Sequence, residues 1–285
     1  MAKADTGLHS LIFDLGWPSY QHYPVERWQQ GQRSTETDYI AEEVPISLIY
    51  NGVPHVVMLA TPTNLEDFAL GFSFTEGIIQ HPSELLSVRV YHRSNGIEIQ
   101  LKIPEQRFSC MADKGRNLTG RTGCGLCGAS TLQQAIRTPG DIQNDLLLDA
   151  SDLTESLNAI KQHQKINSLT GAVHAAAWIN LNEHVYLVRE DVGRHNALDK
   201  LIGALMSQRK NPSQGFALVT SRASYEMVQK TAFAGISILA AISAPTGLAI
   251  RLAEQVGLTL IGFARNNNHV IYTHHHRLTH KTVTL

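Results

Sequence analysis

Apolar and polar positions change rhythm near the middle of the chain. From Glu43 to Thr61 short apolar stretches flank Asn51-Gly52, a dipeptide suited to a turn in which both central residues take positive φ, so the segment predicts a hairpin. Thr63 to Phe72 follows with a capping residue, acids at Glu66 and Asp67, and Leu65, Phe68, Ala69 and Phe72 on one face, the pattern of an amphipathic helix ending near Gly77. Val88 to Tyr91 and Ile97 to Ile103, joined through Ser94-Asn95-Gly96, predict a second hairpin. Met1 to about Asp38 shows no period and is expected to be an extended lead-in, an arm against another part of the protein. Glu105 to Thr122 is equally without period and is expected to be a mobile linker.

Beyond it the pattern predicts a helix over Ala129 to Ile136, a longer one over Asp152 to Ile166, and a strand pair, Ala175 to Leu181 with Val185 to Arg189. Helix and buried strand then alternate: Gly193 to Ser207, Phe216 to Thr220, Ser224 to Ala234, Ile236 to Ile242, Pro245 to Val256, Leu258 to Phe263, and a last strand at Val270 to Thr273. That alternation predicts a three-layer α/β domain with partly parallel strands, and a ligand crevice beyond their carboxyl ends. The chain is expected to divide into a β-rich N-terminal domain with one helix (1–105), a linker carrying a cysteine loop (106–128) and the α/β domain (129–285), α+β overall.

Composition narrows the class. Hydrophobic residues at 43% and charged residues at 17% describe a folded protein, and 285 residues suit two cores better than one. A net charge of −1 provides no global field for nucleic acid or anionic lipid. Thr231 to Ile250, the longest weakly charged stretch, is interrupted by Gly235, Pro245 and Gly247 and reads as buried helix and strand, not a membrane span. Met1 to Trp17 lacks the pattern of a secretory signal, and three cysteines are too few for a disulfide scaffold, which points to the cytoplasm.

Two of those cysteines form Gly123-Cys124-Gly125-Leu126-Cys127-Gly128. The pair precedes an expected helix and follows Arg116 and Arg121, surroundings that favour thiolate, while the glycines permit close approach of another surface. A structural zinc site would need further ligands; no second cysteine pair exists, Cys110 stands alone, and the spacing of His174 and His195 does not require one. A dithiol oxidoreductase would carry its C-x-x-C after an early strand. Sulfur transfer or redox use is therefore preferred to zinc.

Two further constellations fall at strand ends. Arg189 to Lys200 crowds charge into a strand-to-helix junction, where Gly193, Arg194 and the backbone N–H groups of a helix start make an anion site; a capped helix with solvated charges is the equal alternative. Gly262 to Asn268 runs a buried strand into Arg265 and the amides of Asn266, Asn267 and Asn268, suited to phosphate and a base edge, with an ordinary polar turn as the alternative. His174 reads as a core histidine, and His274-His275-His276 as an exposed tail.

In their order along the chain these segments resemble the formate dehydrogenase accessory sulfurtransferase family, FdhD. The resemblance rests on Leu65 to Ile79, Cys124 to Gly128, Thr170 to Ala177, Arg189 to Lys200, Thr220-Ser221-Arg222 and Gly262 to Arg265. It implies a cytosolic sulfur carrier that takes sulfur from a cysteine desulfurase as a persulfide and passes it to the bis-molybdopterin guanine dinucleotide of the formate dehydrogenase catalytic subunit. Cys124 would then carry the persulfide and Cys127 assist. Phe263, Ala264, Arg265, Asn266, Asn267 and Asn268, with Arg222 and His195, would bind the cofactor, for which GDP is a partial mimic. A homodimer and a cytidine-deaminase-like larger domain are also implied. The deaminase metal motif is missing, since His174 is followed by Ala175-Ala176 and no cysteine lies beyond residue 127. The competing expectation is a cofactor-binding chaperone whose cysteines do no chemistry.

Overall fold

The computed structural model describes residues 16–115, 139–144, 146–180, 182 and 185–280, without the side chains of 112–115 and 185. The Cys124–Cys127 loop and the helix expected over 129–136 lie outside the described residues.

The chain starts with β1 (Tyr20–Gln29) and β2 (Gln32–Ala41), a separate two-stranded ribbon. The extended lead-in expected there is thus a paired ribbon over these residues, regular where the sequence showed no period. Nearly all its side chains face solvent, so its alternation carries no apolar period; only Gln30 and Gly31, at φ 51° and 79°, mark the turn. Next come β3 (Val44–Tyr50) and β4 (Val53–Ala60), whose turn residues Asn51 and Gly52 take φ 48° and 86° as expected. The helix α1 (Leu65–Thr75) leads to β5 (Ser87–Arg93) and β6 (Gly96–Lys102). These four strands form one sheet in the order β4-β3-β6-β5, with β3 and β6 parallel, and α1 packs Leu65, Phe68 and Phe72 into the same core as Ile46, Leu48 and Ile99. The segment after β6, expected to be irregular, begins as the helix α2 (Glu105–Gly115). Only Phe108 and Met111 anchor it on that core, too few apolar positions to give a visible period.

The second half opens with β7 (Leu148–Asp149), α3 (Ala150–His163) and α4 (Lys165–Thr170). The single helix expected here breaks at Gln164, where ψ reaches 73°. Both oxygens of Glu190 then accept the N–H groups of Ile166 and Asn167, at 2.9 and 2.8 Å, and satisfy the start of α4. There follow β8 (His174–Asn180), β9 (Val185–Asp191), α5 (Arg194–Ser207), β10 (Phe216–Val219), α6 (Tyr225–Phe233), β11 (Ile238–Ala241), α7 (Gly247–Val256), β12 (Thr259–Arg265), β13 (Asn268–Ile271) and β14 (Leu278–Thr279). Six strands make a sheet in the order β13-β12-β11-β10-β8-β9, with β10, β11 and β12 parallel. One face packs on α5, α6 and α7, the other on α3, which gives the three layers expected of a mixed α/β fold. No helix among the described residues is long and apolar enough to cross a membrane.

The two sheets are joined through α1 and α5, which cross backbone to backbone. A Cβ on Gly71 would overlap the Asp199 carbonyl oxygen, and one on Gly203 the Asp67 carbonyl oxygen. Two buried ion pairs flank the crossing. Lys200 donates to Asp191 at 2.6 Å and to the Thr61 carbonyl at 2.8 Å. Lys230 donates to Asp199 at 2.8 Å, Thr75 at 3.0 Å and Glu76 at 3.1 Å, while Thr75 donates to Asp199 at 2.7 Å. Burial opposes the charge on Lys230, but Asp199 and Glu76 more than offset it and hold its pKa above the ordinary lysine range. These contacts fix where α5 begins.

Candidate functional site

The parallel strands all end at one edge of the six-stranded sheet, and the segments beyond them stay tied together. Ile242 N–H reaches the Val219 carbonyl at 3.0 Å, Thr246 N–H the Ala223 carbonyl at 3.0 Å, and Phe263 N–H the Ser243 carbonyl at 3.2 Å. Because β8 runs antiparallel to β10, its first residue, His174, lies at this edge too, opposite Asp191 at the end of β9. The edge therefore gathers Thr220 to Ser224, Ser243 to Thr246, Phe263, His174 and the start of α5, as the alternation predicted.

The start of α5 has no side-chain cap. Gly193 is the N-cap residue with no side-chain cap, and no acid occupies the first turn. Asp191 instead accepts the N–H of Gly193 at 2.8 Å and the Asn196 amide at 3.2 Å, its other oxygen being held by Lys200. The N-cap residue thus offers the first turn no side-chain oxygen, and the Nε of Arg194 is buried without a hydrogen-bond partner among the described residues. An uncapped helix start beside an unsatisfied guanidinium nitrogen is chemistry that accepts an anion.

His195, the next residue, is buried, and its Nε2 lies 2.8 Å from Glu226 Oε2 and 3.4 Å from Ser224 Oγ. His174 was read as a core histidine; it is half-buried at the sheet edge where the parallel strands end. Burial, then Arg194, hold its pKa below the ordinary histidine range, with His195 adding to them and Asp191 working the other way. Glu226 was not singled out from the sequence. Its signal was that of an acid in the first turn of α6, which is equally what a helix dipole favours.

Of the residues expected to bind, Arg222 is exposed just beyond β10, two residues before Ser224. Phe263 sits where β12 bulges between Gly262 and Arg265, with φ 51° and 38% of its surface exposed. Gly262 permits this, since a Cβ there would come within 2.8 Å of Pro245. Ala264 is fully buried, and the Arg265 guanidinium lies 5.8 Å from the Phe263 ring centre. Asn266 and Asn267, at φ 52° and 60°, form the turn to β13, and Asn268 donates to the Asn266 carbonyl at 2.9 Å. The turn alone therefore accounts for asparagine at 266 and 267. The ends of β10 and β12 are two strand spacings apart, about 10 Å, so Arg222 and Phe263 lie beyond the same edge of the sheet. Cys124 and Cys127 lie outside the described residues, and Cys110 is a free, exposed thiol on α2.

Comparison with known proteins places these features in a lineage. The chain is 50% identical over 264 residues to the sulfur carrier protein FdhD of Cupriavidus necator, covering 93% of this chain and 92% of that protein. It is 52% identical over 254 residues to the sulfur carrier protein FdhD of Xanthomonas euvesicatoria, covering 89% and 90%. A crystal structure from Desulfotalea psychrophila, described as a candidate formate dehydrogenase accessory protein, has the same fold, with a TM-score of 0.71 at 22% identity over 92% of this chain and 100% of that one. The family model for FdhD/NarQ matches residues 41–279, and the chain belongs to the FdhD/NarQ family.

Proposed function

We propose that this protein is a cytoplasmic sulfur carrier serving formate dehydrogenase, with Cys124 as the persulfide-bearing residue and bis-molybdopterin guanine dinucleotide as the substrate that receives the sulfur. The observation that carries the reading is the pairing of about half identity, over nearly the whole chain, to proteins named sulfur carriers with an anion-accepting crevice at the strand ends. The Cys124 thiolate attacks the outer sulfur of a cysteine desulfurase persulfide; that S–S bond breaks, the desulfurase leaves as a thiolate, and a new S–S bond forms on Cys124. Attack by Cys127 on Cys124 would release the outer sulfur as sulfide, leaving a disulfide for a cellular thiol to reduce.

The residues present suit the substrate's phosphates. The start of α5, without a side-chain cap, and the Nε of Arg194, unpartnered among the described residues, supply donors, Arg222 and Arg265 supply exposed charge, and Phe263 offers a ring at the far end. A substrate with two similar halves is matched by a homodimer with two crevices, and that is the assembly proposed.

Incubation with a cysteine desulfurase and cysteine, followed by mass spectrometry, tests the carrier. The peptide containing Cys124 is expected to gain one sulfur atom, and Cys124→Ala is expected to abolish both that gain and activation of formate dehydrogenase. Full activation by a folded Cys124→Ala protein would replace this reading with the cofactor-binding chaperone. The crevice gives that second reading its support, because none of its described groups is a cysteine.

A further inference from the structure

The histidines that follow β12 have no part in the proposed sulfur transfer. Five of the 14 in the chain fall between residues 269 and 280, the kind of local enrichment that accompanies metal binding. The run His274-His275-His276 was read as an exposed tail, and its rings do not converge: His274 spends Nε2 on the Glu254 carbonyl at 3.0 Å and stands edge-on to His276, with ring centroids 6.0 Å apart. The pair that does converge comes from two separate elements. His269 lies on β13, the edge strand of the six-stranded sheet, and His280 directly follows β14, which is paired with β7. Their Nε2 atoms are 3.0 Å apart, and their ring planes lie within 19° of each other.

We propose that His269 and His280 are the two protein ligands of a divalent transition ion of the kind that prefers imidazole: zinc, nickel or copper. Distance carries the argument. Metal–imidazole bonds of about 2.0 to 2.1 Å, meeting at about 90° to 109°, hold their nitrogens about 2.8 to 3.4 Å apart, and the observed separation lies inside that span. A hydrogen bond between the rings fits the same distance, but at an exposed place water serves each ring as well, so such a bond adds little. With both protons on Nδ1, the two Nε2 atoms turn two lone pairs toward one ion without any change of fold. No third histidine, cysteine or acid joins them among the described residues, so water completes the coordination and the ion exchanges readily. An imidazole pair also selects against magnesium and calcium, which take oxygen ligands. The place of the pair gives the ion its effect. Between the register pairs Gly262–Val270 and Arg265–Asn268, the bulge of β12 sets Phe263 and Ala264 opposite His269. An ion on His269 and His280 therefore fastens the segment after β14 to the strand that backs the bulge, and stiffens the turn that carries Phe263 and Arg265. The site stands whether or not that turn meets a cofactor.

Titration calorimetry of the full chain with Zn2+ tests the site, with the thiols alkylated beforehand because cysteines take the same ion. One Zn2+ per chain is expected to bind the unaltered protein, and His269→Gln and His280→Gln are each expected to lose it with an unchanged circular dichroism spectrum. His275→Gln combined with His276→Gln is expected to leave it in place. Hydrogen exchange of the unaltered protein provides a second reading that needs no variant: amides from Gly262 to Val270 are expected to exchange more slowly when Zn2+ is added and to be unaffected by Mg2+. Failure of the unaltered chain to bind Zn2+, or binding that survives His280→Gln, overturns the proposal and leaves the two rings a hydrogen-bonded pair.

Discussion

Phe263 holds a left-handed backbone conformation, φ 51°, which costs a bulky residue about 1 kcal/mol or more and persists only where the surroundings impose it. The bulge in β12 and the tight passage of Gly262 past Pro245 impose it here, and they turn the ring toward solvent at the mouth of the crevice. Phe263→Gly is therefore expected to leave the thermal midpoint unchanged or slightly raised while weakening GDP binding several-fold by titration calorimetry. A large loss of stability would mean that the ring serves packing. His174 gives a second, electrostatic test. Its pKa is depressed in the free protein, mainly by burial and by Arg194. A phosphate bound beside Arg194 adds negative charge and must raise that pKa, so binding takes up a proton. GDP affinity is expected to rise as pH falls from neutral toward the depressed value and to level off below it. Calorimetry at about pH 6 in buffers of different ionisation heat should show the uptake, and His174→Ala should remove it.

Among the elements, the crossing of α1 and α5 depends on two glycines. Gly71 and Gly203 each face the partner helix's backbone oxygen, so a single methyl group forces the helices apart; Gly71→Ala or Gly203→Ala is expected to cost about 1 to 3 kcal/mol or more in urea unfolding. An unchanged midpoint would mean the helices slide freely. Neither contact was visible in the sequence, where Gly71 is merely a weak helix residue. The alternation from β10 to β12 was legible because each strand is buried on both faces and each helix has a stop or start nearby, such as Thr246 before α7 and Gly257 after it. The ribbon and α2 were not, since strands exposed on both faces show no period and a helix anchored by Phe108 and Met111 shows too little of one. The gathering of the strand ends at one sheet edge was legible, whereas the pairing of His195 with Glu226 joins residues 31 positions apart and needed the fold. Asn266 and Asn267 fit both readings that the sequence left open, since positive φ asks for asparagine whether or not the amides meet a ligand.

At the scale of the molecule the crevice is only as well defined as the position of α5, and that position is set from the other sheet's helix. Lys230 on α6 is the node: it neutralises Asp199 on α5 and reaches Thr75 and Glu76 at the end of α1, with its charge almost wholly buried. Removing it leaves Asp199 buried beside Thr75 with no cation. Lys230→Met is therefore expected to cost about 3 to 5 kcal/mol, the penalty of an uncompensated buried carboxylate and not the worth of the pair. Replacing both partners distinguishes the two. Lys230→Met combined with Asp199→Asn should recover much of the loss, because the carboxylate that Lys230 compensated is then gone. Urea unfolding of the single and double variants measures the recovery, and GDP titration of the same proteins asks whether the start of α5 moves with it. If the node only adds stability, GDP affinity will be the same in every folded variant; if it positions the start of α5, affinity will fall in Lys230→Met and return in the double variant.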